Sequence, residues 1–359
     1  MERIVLKEKI EIPKVPEGTG DDGNGVHSFI YRGEQVREIE SLYGRENCCL
    51  KIFKNNEPFR EQGWWGHSHP AKGCFQTEGV AIQNIYAMEG LAPRVYALFI
   101  LEINGQKHWA HLTDDLGHCI PNAQLQNELM NGKMLEVAER YGIDMFNDGR
   151  EWNVVNGKYV DFQGFHFKED YKERLKKRLI GVANVGKWGP WMNYHDIPQL
   201  EIKGGRNNEK RIEDMKLDEI DFKGKTVLDV GCSEGFFCRY AIDKGAKRVT
   251  GIDLQGVVKP VEELTYYLGY NNIDYIGCDL NKDIPDIKIH DIVFFFSMVQ
   301  HIGLPDWVKK RTRDLLVFEG NGKNRDIEGW SKLNSSFSNV DDIGKTNDLS
   351  ERIVLWAKK

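Results

Sequence analysis

Residues 225–245 read KTVLDVGCSEGFFCRYAIDKG, and they predict a buried strand, a tight turn and a helix in succession. The strand is the apolar run TVLDV, Gly231 and Gly235 bracket the turn, and the helix begins near Phe236. Glycines let the backbone come close to a ligand at the carboxyl end of such a strand. The stretch therefore predicts a nucleotide-type cofactor at this turn.

Strands and helices alternate from residue 225 onward, which is typical of a parallel α/β sheet. The second predicted strand, 248–254, ends in Asp253, about 20 residues beyond the turn, where a carboxylate can accept hydrogen bonds from both ribose hydroxyls. The third, 273–280, brings Asp279 to the adenine amino group and Leu280 beside the ring. The fourth, 290–302, is a long apolar run.

A dinucleotide-dependent dehydrogenase is the structural rival, since it uses the same kind of sheet. It would normally show G-x-G-x-x-G, and this turn has only G-x-x-x-G. The glycine spacing alone is a weak signal. The ordered set of strand, glycine turn, two acidic strand ends and apolar fourth strand is a strong one.

This ordered set resembles the class I S-adenosylmethionine (SAM)-dependent methyltransferases over roughly 222–359. The resemblance implies a Rossmann-like, seven-stranded fold with 315–322 as the fifth strand and ERIVLWAKK as the antiparallel last strand. It also implies that the D-x-G-C-x-x-G turn holds the methionyl part of SAM. The predicted SAM-binding residues are Tyr194, Arg206, Asp229, Gly231, Cys232, Ser233, Gly235, Asp253, Leu254, Asp279, Leu280 and Ser297.

A lead-in to this region resembles one methyltransferase subgroup more closely. It reads Tyr194-His195-Asp196-Ile197, then Gly205-Arg206, then Arg211. The subgroup includes the methyltransferase half of the kinase–methyltransferase that caps bacterial O-antigen chains, and enzymes that modify the tRNA wobble uridine. The resemblance implies that Tyr194 and Arg206 fold over SAM, with Arg206 pairing its carboxylate. The alternative is that Tyr194 is a packed linker aromatic.

Methyl transfer is an in-line displacement that needs alignment and exclusion of water. A hydroxyl acceptor benefits from a base, whereas a phosphate oxygen needs none. His301 follows the fourth predicted strand, where this family often places an acceptor-side histidine, and we assign it a catalytic role. The alternative is a histidine that caps the next helix or hydrogen-bonds in the wall.

The N-terminal half shows the residue order of a protein kinase. Lys51 lies in a predicted strand and Glu78 in the next helix; Asn153 follows Asp148 by five residues; a hairpin then leads to Asp161-Phe162-Gln163-Gly164. In a kinase-like, small-molecule-directed α+β domain, Lys51 would hold ATP phosphates and Glu78 would orient it. Asp148 would accept the hydroxyl proton, and Asn153 and Asp161 would bind Mg²⁺.

Departures from the kinase pattern leave activity open. Phe146-Asn147-Asp148 replaces His-Arg-Asp, and Gln163 interrupts Asp-Phe-Gly. The glycine-rich loop of kinases has no convincing counterpart, and its only candidate residues are Gly18, Gly20, Gly23 and Gly25. Little chain follows Asp161 before the methyltransferase region, so most of a usual kinase C-lobe is missing. The alternative is a degenerate domain that binds substrate or a partner.

Composition favours a globular protein that acts in the cytoplasm. The seven cysteines are irregularly spaced without a C-x-x-C pair, which disfavours disulfides or a zinc cluster. The first residues are charged and no apolar run reaches membrane-spanning length, so we expect neither a signal peptide nor a membrane span. The net charge of −6 neither demands nor excludes a nucleic-acid partner, but neither half of the chain is basic, so such a partner is possible and not favoured.

We therefore predict an N-terminal segment (1–26), a kinase-like domain (27–166), a linker and lead-in (167–206) and a methyltransferase domain (207–359). The predicted function is SAM-dependent methylation of a small molecule or glycan, including a phosphate that the first domain installs. One alternative is an RNA methyltransferase that uses the N-terminal domain for recognition. A non-catalytic binding module is the other.

Overall fold

The computed structural model contains two main β-sheets, one of four strands and one of seven. The chain divides into two compact units, which are Met1–Tyr171 with Tyr266–Asn271, and Lys172–Thr265 with Asn272–Lys359. The structure describes residues 28–32, 34–53, 75–103, 106–116, 124–145, 154–155, 157–159, 162, 165–180, 193–321, 331–347 and 351–359.

The first unit contains a four-stranded antiparallel sheet in the order β1-β2-β4-β3. Its elements are β1 (Ser28–Tyr31), α1 (Glu34–Tyr43), β2 (Cys48–Phe53), α2 (Phe75–Met88), β3 (Val95–Ile103) and β4 (Gln106–Asp114). The apolar side of α1, with Val36 and Ile39, forms a core with Leu50, Phe99 and Leu112 from three strands. The predicted strand at 48–53, the helix at 74–89 and the hairpin at 94–113 are confirmed.

Shorter elements complete this unit. They are α3 (Gln124–Tyr141), β5 (Ile143–Asp144) paired with β8 (His166–Phe167), and β6 (Val154–Val155) paired with β7 (Lys158–Tyr159). The predicted helices at 122–141 and 167–182 are confirmed, although the second, α4 (Tyr171–Leu179), is shorter than predicted and belongs to the second unit from Lys172 onward. Tyr171, Leu175 and Leu179 are its buried face, as the spacing of apolar residues predicts.

The second unit is built on a seven-stranded sheet in the order β11-β10-β9-β12-β13-β15-β14. The strands from β9 to β13 pair in parallel, and β15 pairs antiparallel with both β13 and β14. This mostly parallel sheet confirms the Rossmann-like part of the predicted fold class, and the kinase-like fold of the first unit stays a prediction. The elements are α5 (Asn208–Asp214), β9 (Thr226–Val230), α6 (Phe236–Asp243), β10 (Arg248–Asp253), α7 (Gln255–Tyr267), β11 (Ile273–Gly277), β12 (His290–Phe296), α8 (Val299–Ile302), α9 (Asp306–Arg311), β13 (Thr312–Glu319), β14 (Asn339–Thr346) and β15 (Arg352–Lys358).

Two predicted strands are too long. The fourth ends at Phe296 rather than 302, because Ser297 takes a left-handed φ of 58° and Val299–Ile302 then form a helical turn. An apolar run cannot by itself distinguish a strand from the buried helix that follows it. The third ends at Gly277, so Asp279 and Leu280 lie in the loop after β11.

The strand order predicts a crevice at the carboxyl end of β9. The chain runs outward from β9 through β10 to β11 and then returns to β12 on the other side of β9. Ligands of open α/β sheets bind at such a reversal of strand order, outside the carboxyl ends of the strands. All seven residues of the neighbouring β12 are buried, which makes this part of the sheet a rigid support. Among the described residues, no helix is long and apolar enough to span a membrane.

Candidate active site at the carboxyl edge of the second sheet

The turn after β9 is strained where the sequence predicts a ligand. Gly231, Ser233 and Gly235 have φ values of 80°, 48° and 68°. A Cβ on Gly231 would overlap the Met298 thioether, and one on Gly235 would overlap the Tyr275 hydroxyl. Left-handed backbone costs a non-glycine residue about 1–2 kcal/mol, so conformation favours glycine at both positions, and a side chain there would also have to displace Met298 or Tyr275.

Asp253 lies at the end of β10 and faces this turn. Its Oδ2 accepts a hydrogen bond from the Ser233 backbone N–H at 2.9 Å, and its Oδ1 accepts one from Leu254 N–H at 2.8 Å. Burial raises the pKa of this carboxyl, and the two backbone hydrogen bonds and His301 oppose that shift. Each carboxylate oxygen has a second lone pair, so the group has the acceptor capacity that two ribose hydroxyls require.

The residues predicted to meet adenine lie in the loop after β11. Asp279 accepts hydrogen bonds from Lys282 Nζ at 3.0 Å and from Asn281 N–H at 3.1 Å, and these contacts lower its pKa. Leu280 packs against the core of the second sheet, whereas Leu254 is 38% exposed beside Asp253. An exposed leucine next to a candidate ribose ligand is an apolar surface suited to a flat base.

Asp229 and Cys232 lie behind the turn, with exposures of 2% and 3%. The Cys238 thiol donates to Asp229 Oδ2 at 3.3 Å, and burial raises the pKa of this carboxyl to about 7. Burial also raises the pKa of the Cys232 thiol, which donates a hydrogen bond to the Cys238 sulfur; both cysteines are free. Both residues support the turn from the core side.

A buried glutamate joins the lead-in to the glycine turn. The Glu234 side chain is 0% exposed; its Oε1 accepts a hydrogen bond from Tyr194 N–H at 2.6 Å, and its Oε2 accepts one from Ser233 Oγ at 2.5 Å. The adjacent His195 is buried, donates from Nδ1 to Asn208 Oδ1, and stacks on Phe236. Burial, with the charge of Arg211, lowers its pKa well below the usual value, so this histidine is neutral.

A second buried glutamate, Glu319, forms ion pairs with the two arginines of the lead-in. Glu319, the last residue of β13, is 0% exposed and pairs with Arg211 Nη2 at 2.6 Å and with Arg206 Nη2 at 3.5 Å. The Arg206 guanidinium also donates to the Tyr194 hydroxyl, and its Cζ lies 4.9 Å from the Tyr194 ring centroid. Arg206 is therefore buried against Tyr194 and Glu319 and does not point into bulk solvent.

Three further side chains surround Glu319. Ser297 Oγ donates at 2.5 Å, Thr346 Oγ1 donates at 2.9 Å, and Arg352 Nη1 lies 3.8 Å away and also donates to Ser297 Oγ. Burial alone would raise the pKa of this carboxyl, but the arginines and hydrogen bonds lower it to about 2. Glu319 is therefore a permanent anion at the carboxyl edge. Arg211 Nη1 is buried with no hydrogen-bond partner in the structure.

His301 is exposed in the last turn of α8, and its Nε2 lies 2.9 Å from Gln300 Nε2. Because α8 directly follows β12, which pairs in parallel with β9, His301 lies at the same edge of the sheet as the glycine turn. It is part of a short helix rather than a cap for the next one. An acceptor-side role stays a prediction.

Only part of the predicted kinase site can be located. Lys51 on β2 lies directly across from His111 on β4, and burial together with Lys51 lowers the His111 pKa to about 3. Glu78 accepts a hydrogen bond from Phe167 N–H at 2.9 Å and lies 3.8 Å from His166 Nδ1. The remaining predicted residues lie outside the described ones, so convergence of the set stays a prediction. They are Asp148, Asn153, Asp161, Gly18, Gly20, Gly23 and Gly25.

Sequence reasoning missed Glu234 and Glu319. Glu234 lies in the turn after the apolar strand β9 and Glu319 ends the strand β13, and an acidic residue at such a point was the available signal. Three of the partners of Glu319 lie 22, 27 and 108 residues away in the chain, so no local pattern reveals the network.

A family described as FtsJ-like methyltransferase matches residues 210–305. Ubiquinone biosynthesis O-methyltransferase of Neisseria meningitidis serogroup C is 29% identical over 43% of this chain and 61% of its own length. The tRNA U34 carboxymethyltransferase of Shewanella pealeana is 23% identical over 55% of this chain and 60% of its own length. The chain thus spans about three fifths of each of these relatives.

Solved structures that this chain matches include the bifunctional kinase-methyltransferase WbdD. It is 17% identical over 51% of this chain and 46% of its own, with a TM-score of 0.39. The magnesium protoporphyrin IX methyltransferase of Synechocystis, solved with bound SAM, is 17% identical over 42% and 77%, with a TM-score of 0.35.

Proposed function

We propose that the second unit transfers a methyl group from SAM to a small-molecule or glycan acceptor. The observation that supports this most is the hydrogen bond from Ser233 N–H to Asp253, which joins a strained glycine turn to an acidic strand end at the reversal of strand order. The match of residues 210–305 to a methyltransferase family supports the same reaction.

Each part of the carboxyl edge has a role in this proposal. Gly231 and Gly235 keep the turn open to the methionyl part, and Asp253 accepts hydrogen bonds from the ribose. Arg206 and Tyr194 bind the carboxylate end, whereas the loop after β11 contacts adenine. Bound SAM supplies an activated methyl group on a sulfonium, and the residues around it align the acceptor and exclude water.

We assign His301 to the part of the site that would bind the methyl acceptor. Its exposed imidazole could remove a proton from a hydroxyl acceptor, and an anionic phosphate acceptor would not need that step. Replacing His301 with Ala therefore separates the two acceptor types. A hydroxyl acceptor predicts a loss of kcat of about a hundredfold or more, and a phosphate acceptor predicts a small change.

For the first unit we propose a kinase-like domain that binds or phosphorylates the acceptor. The placement of Lys51 on β2 and Glu78 on the following helix, α2, supports this order of elements. ATP and Mg²⁺ would then be its ligands. ATP turnover that rises with the acceptor and disappears in Asp148→Asn is the expected result, and turnover unchanged in that variant would contradict it.

A tRNA methyltransferase is the second candidate, because two tRNA U34 carboxymethyltransferases from Shewanella match more than half of this chain. In that case the first unit would recognise RNA. A non-catalytic module with a vestigial nucleotide site is the third candidate, and it predicts no turnover.

Isotopically labelled SAM separates these candidates. The full chain, ATP and labelled SAM would be incubated in parallel with small molecules, glycans and tRNA, and label would be located by mass spectrometry. We expect label in a small molecule or glycan. Label confined to tRNA would replace the proposed acceptor, and label in none of the three pools would favour the binding module.

A further inference from the structure

Arg206 is held in one place by two different contacts. The guanidinium stacks over the Tyr194 ring and donates to its hydroxyl, and Nη2 lies 3.5 Å from Glu319 Oε1. Arg206 and Glu319 have side-chain exposures of 1% and 0%. A buried arginine between a ring and a carboxylate has little rotational freedom left to lose when a ligand arrives.

Glu319 is itself fixed by contacts that do not involve Arg206. Arg211 from α5, Ser297 after β12 and Thr346 from β14 all donate hydrogen bonds to its two oxygens. These donors come from three separate parts of the second unit. These contacts fix the position of the Glu319 carboxylate. Arg206 lies farther from it than Arg211 does and packs against this fixed group.

The lead-in is tied to the same edge at its other end. Glu234 in the glycine turn accepts the backbone N–H of Tyr194, so the residue whose ring lies under Arg206 is itself attached to the turn. The guanidinium is thereby confined between the glycine turn and the end of β13. That is the side of the crevice where the amino-acid end of SAM would lie if Asp253 takes the ribose.

We propose that Glu319 is a positioning residue that acts through Arg206 on the carboxylate end of SAM. This inference rests on the proposed methyl transfer. Glu319 does not touch the cofactor; its charge and fixed position hold the Arg206 guanidinium in the orientation that receives an incoming carboxylate. Loss of the charge would release that orientation without changing the ribose and adenine contacts.

The variant Glu319→Gln tests this role, because it keeps the volume of the side chain and removes the charge. The probes are S-adenosylhomocysteine, which has the amino-acid end, and 5′-methylthioadenosine, which lacks it. We expect calorimetry to show S-adenosylhomocysteine affinity falling by about tenfold to a hundredfold, the effect of losing a hydrogen bond between charged groups. The affinity for 5′-methylthioadenosine should change by less than about twofold.

Glu263 provides a matched control within the same unit. Its side chain is 1% exposed and forms an ion pair with Arg178, as Glu319 does with Arg211. Glu263→Gln also removes one buried negative charge, but on α7. It should leave the affinities for both probes unchanged, even where it lowers the melting temperature.

A double substitution shows whether Glu319 acts through Arg206. The variant Arg206→Ala should lose S-adenosylhomocysteine affinity by itself, and adding Glu319→Gln should produce no further loss. Equal losses for both probes in Glu319→Gln, or additive losses in the double variant, would overturn the positioning role. Failure of the wild-type chain to bind either probe would overturn the proposed function and this inference together.

Discussion

Two ion pairs at opposite edges of the second sheet differ sharply in burial. At the carboxyl edge, the Arg211–Glu319 pair has side-chain exposures of 1% and 0%. At the amino edge, the Lys225–Asp314 pair has exposures of 38% and 44%. The two pairs have similar N–O distances, 2.6 and 2.8 Å, so the difference lies in burial and not in geometry.

Buried charge is expensive, because desolvation can cancel the attraction between the partners. A sheet that needed only stability could carry apolar side chains at both edges. The carboxyl edge instead combines buried arginines and glutamates with left-handed turns at Ser233 and Ser297. Strain and buried charge in the same place are typical of a functional site.

The largest expected effect is the loss of unfolding free energy when the buried Arg211–Glu319 pair is broken. Replacing Arg211 with Met leaves Glu319 without its shortest ion pair, and we expect the free energy of unfolding to fall by about 3–5 kcal/mol. The matched change at the amino edge, Lys225→Met, should cost less than about 1 kcal/mol, because an exposed pair contributes little. Urea denaturation measures both, and equal effects would remove the contrast between the edges.

The glycine turn allows a second paired test. Gly235 and Gly224 both have a φ of 68°, but a Cβ on Gly235 would overlap the Tyr275 hydroxyl, and a Cβ on Gly224 would meet nothing within 4 Å. Gly224→Ala should cost about 1 kcal/mol for its backbone alone. Gly235→Ala should cost about 2–4 kcal/mol, because overpacking is added. Similar losses of unfolding free energy would mean that Tyr275 moves away without cost.

The smallest expected effect concerns the pH dependence of stability. Burial raises the folded-state pKa of Asp229 from 3.8 to about 7, so the folded protein holds this proton more tightly than the unfolded chain. That contribution is complete below pH 4 and is lost as pH rises through about 7. Replacing Asp229 with Asn should reduce the decline in stability between pH 5 and 8 by about 2 kcal/mol. Parallel curves for the two proteins would contradict a raised pKa.

The strands of the second sheet could be predicted because their signals are local. TVLDV and RVTGID are apolar runs with a glycine turn or an acidic residue at the end. Strand β14, NVDDIGKT, was missed, because it is an edge strand with mixed polar residues and no apolar alternation. The end of β12 was misplaced, because Ser297 stops the strand through its backbone and not through a turn-forming sequence.

The candidate site also contains some residues that the sequence could predict and some that it could not. Gly231, Gly235 and Asp253 could be identified from spacing, because they belong to consecutive elements of one pattern. Glu319 could not, since its role depends on partners from α5, β12 and β14 that meet only in the folded chain. For the first unit, the sequence was enough to predict strands and helices, but it was not enough to establish a nucleotide site.

Binding of S-adenosylhomocysteine to the wild type and to Asp253→Ala is the most direct test that the carboxyl edge is a SAM site. Asp253 faces the glycine turn through Ser233 and can accept both ribose hydroxyls. Calorimetry on the folded proteins should show affinity weakened by about 1.5–3 kcal/mol in the variant, the range for hydrogen bonds to a charged group. An unchanged affinity in a correctly folded Asp253→Ala protein would contradict the account.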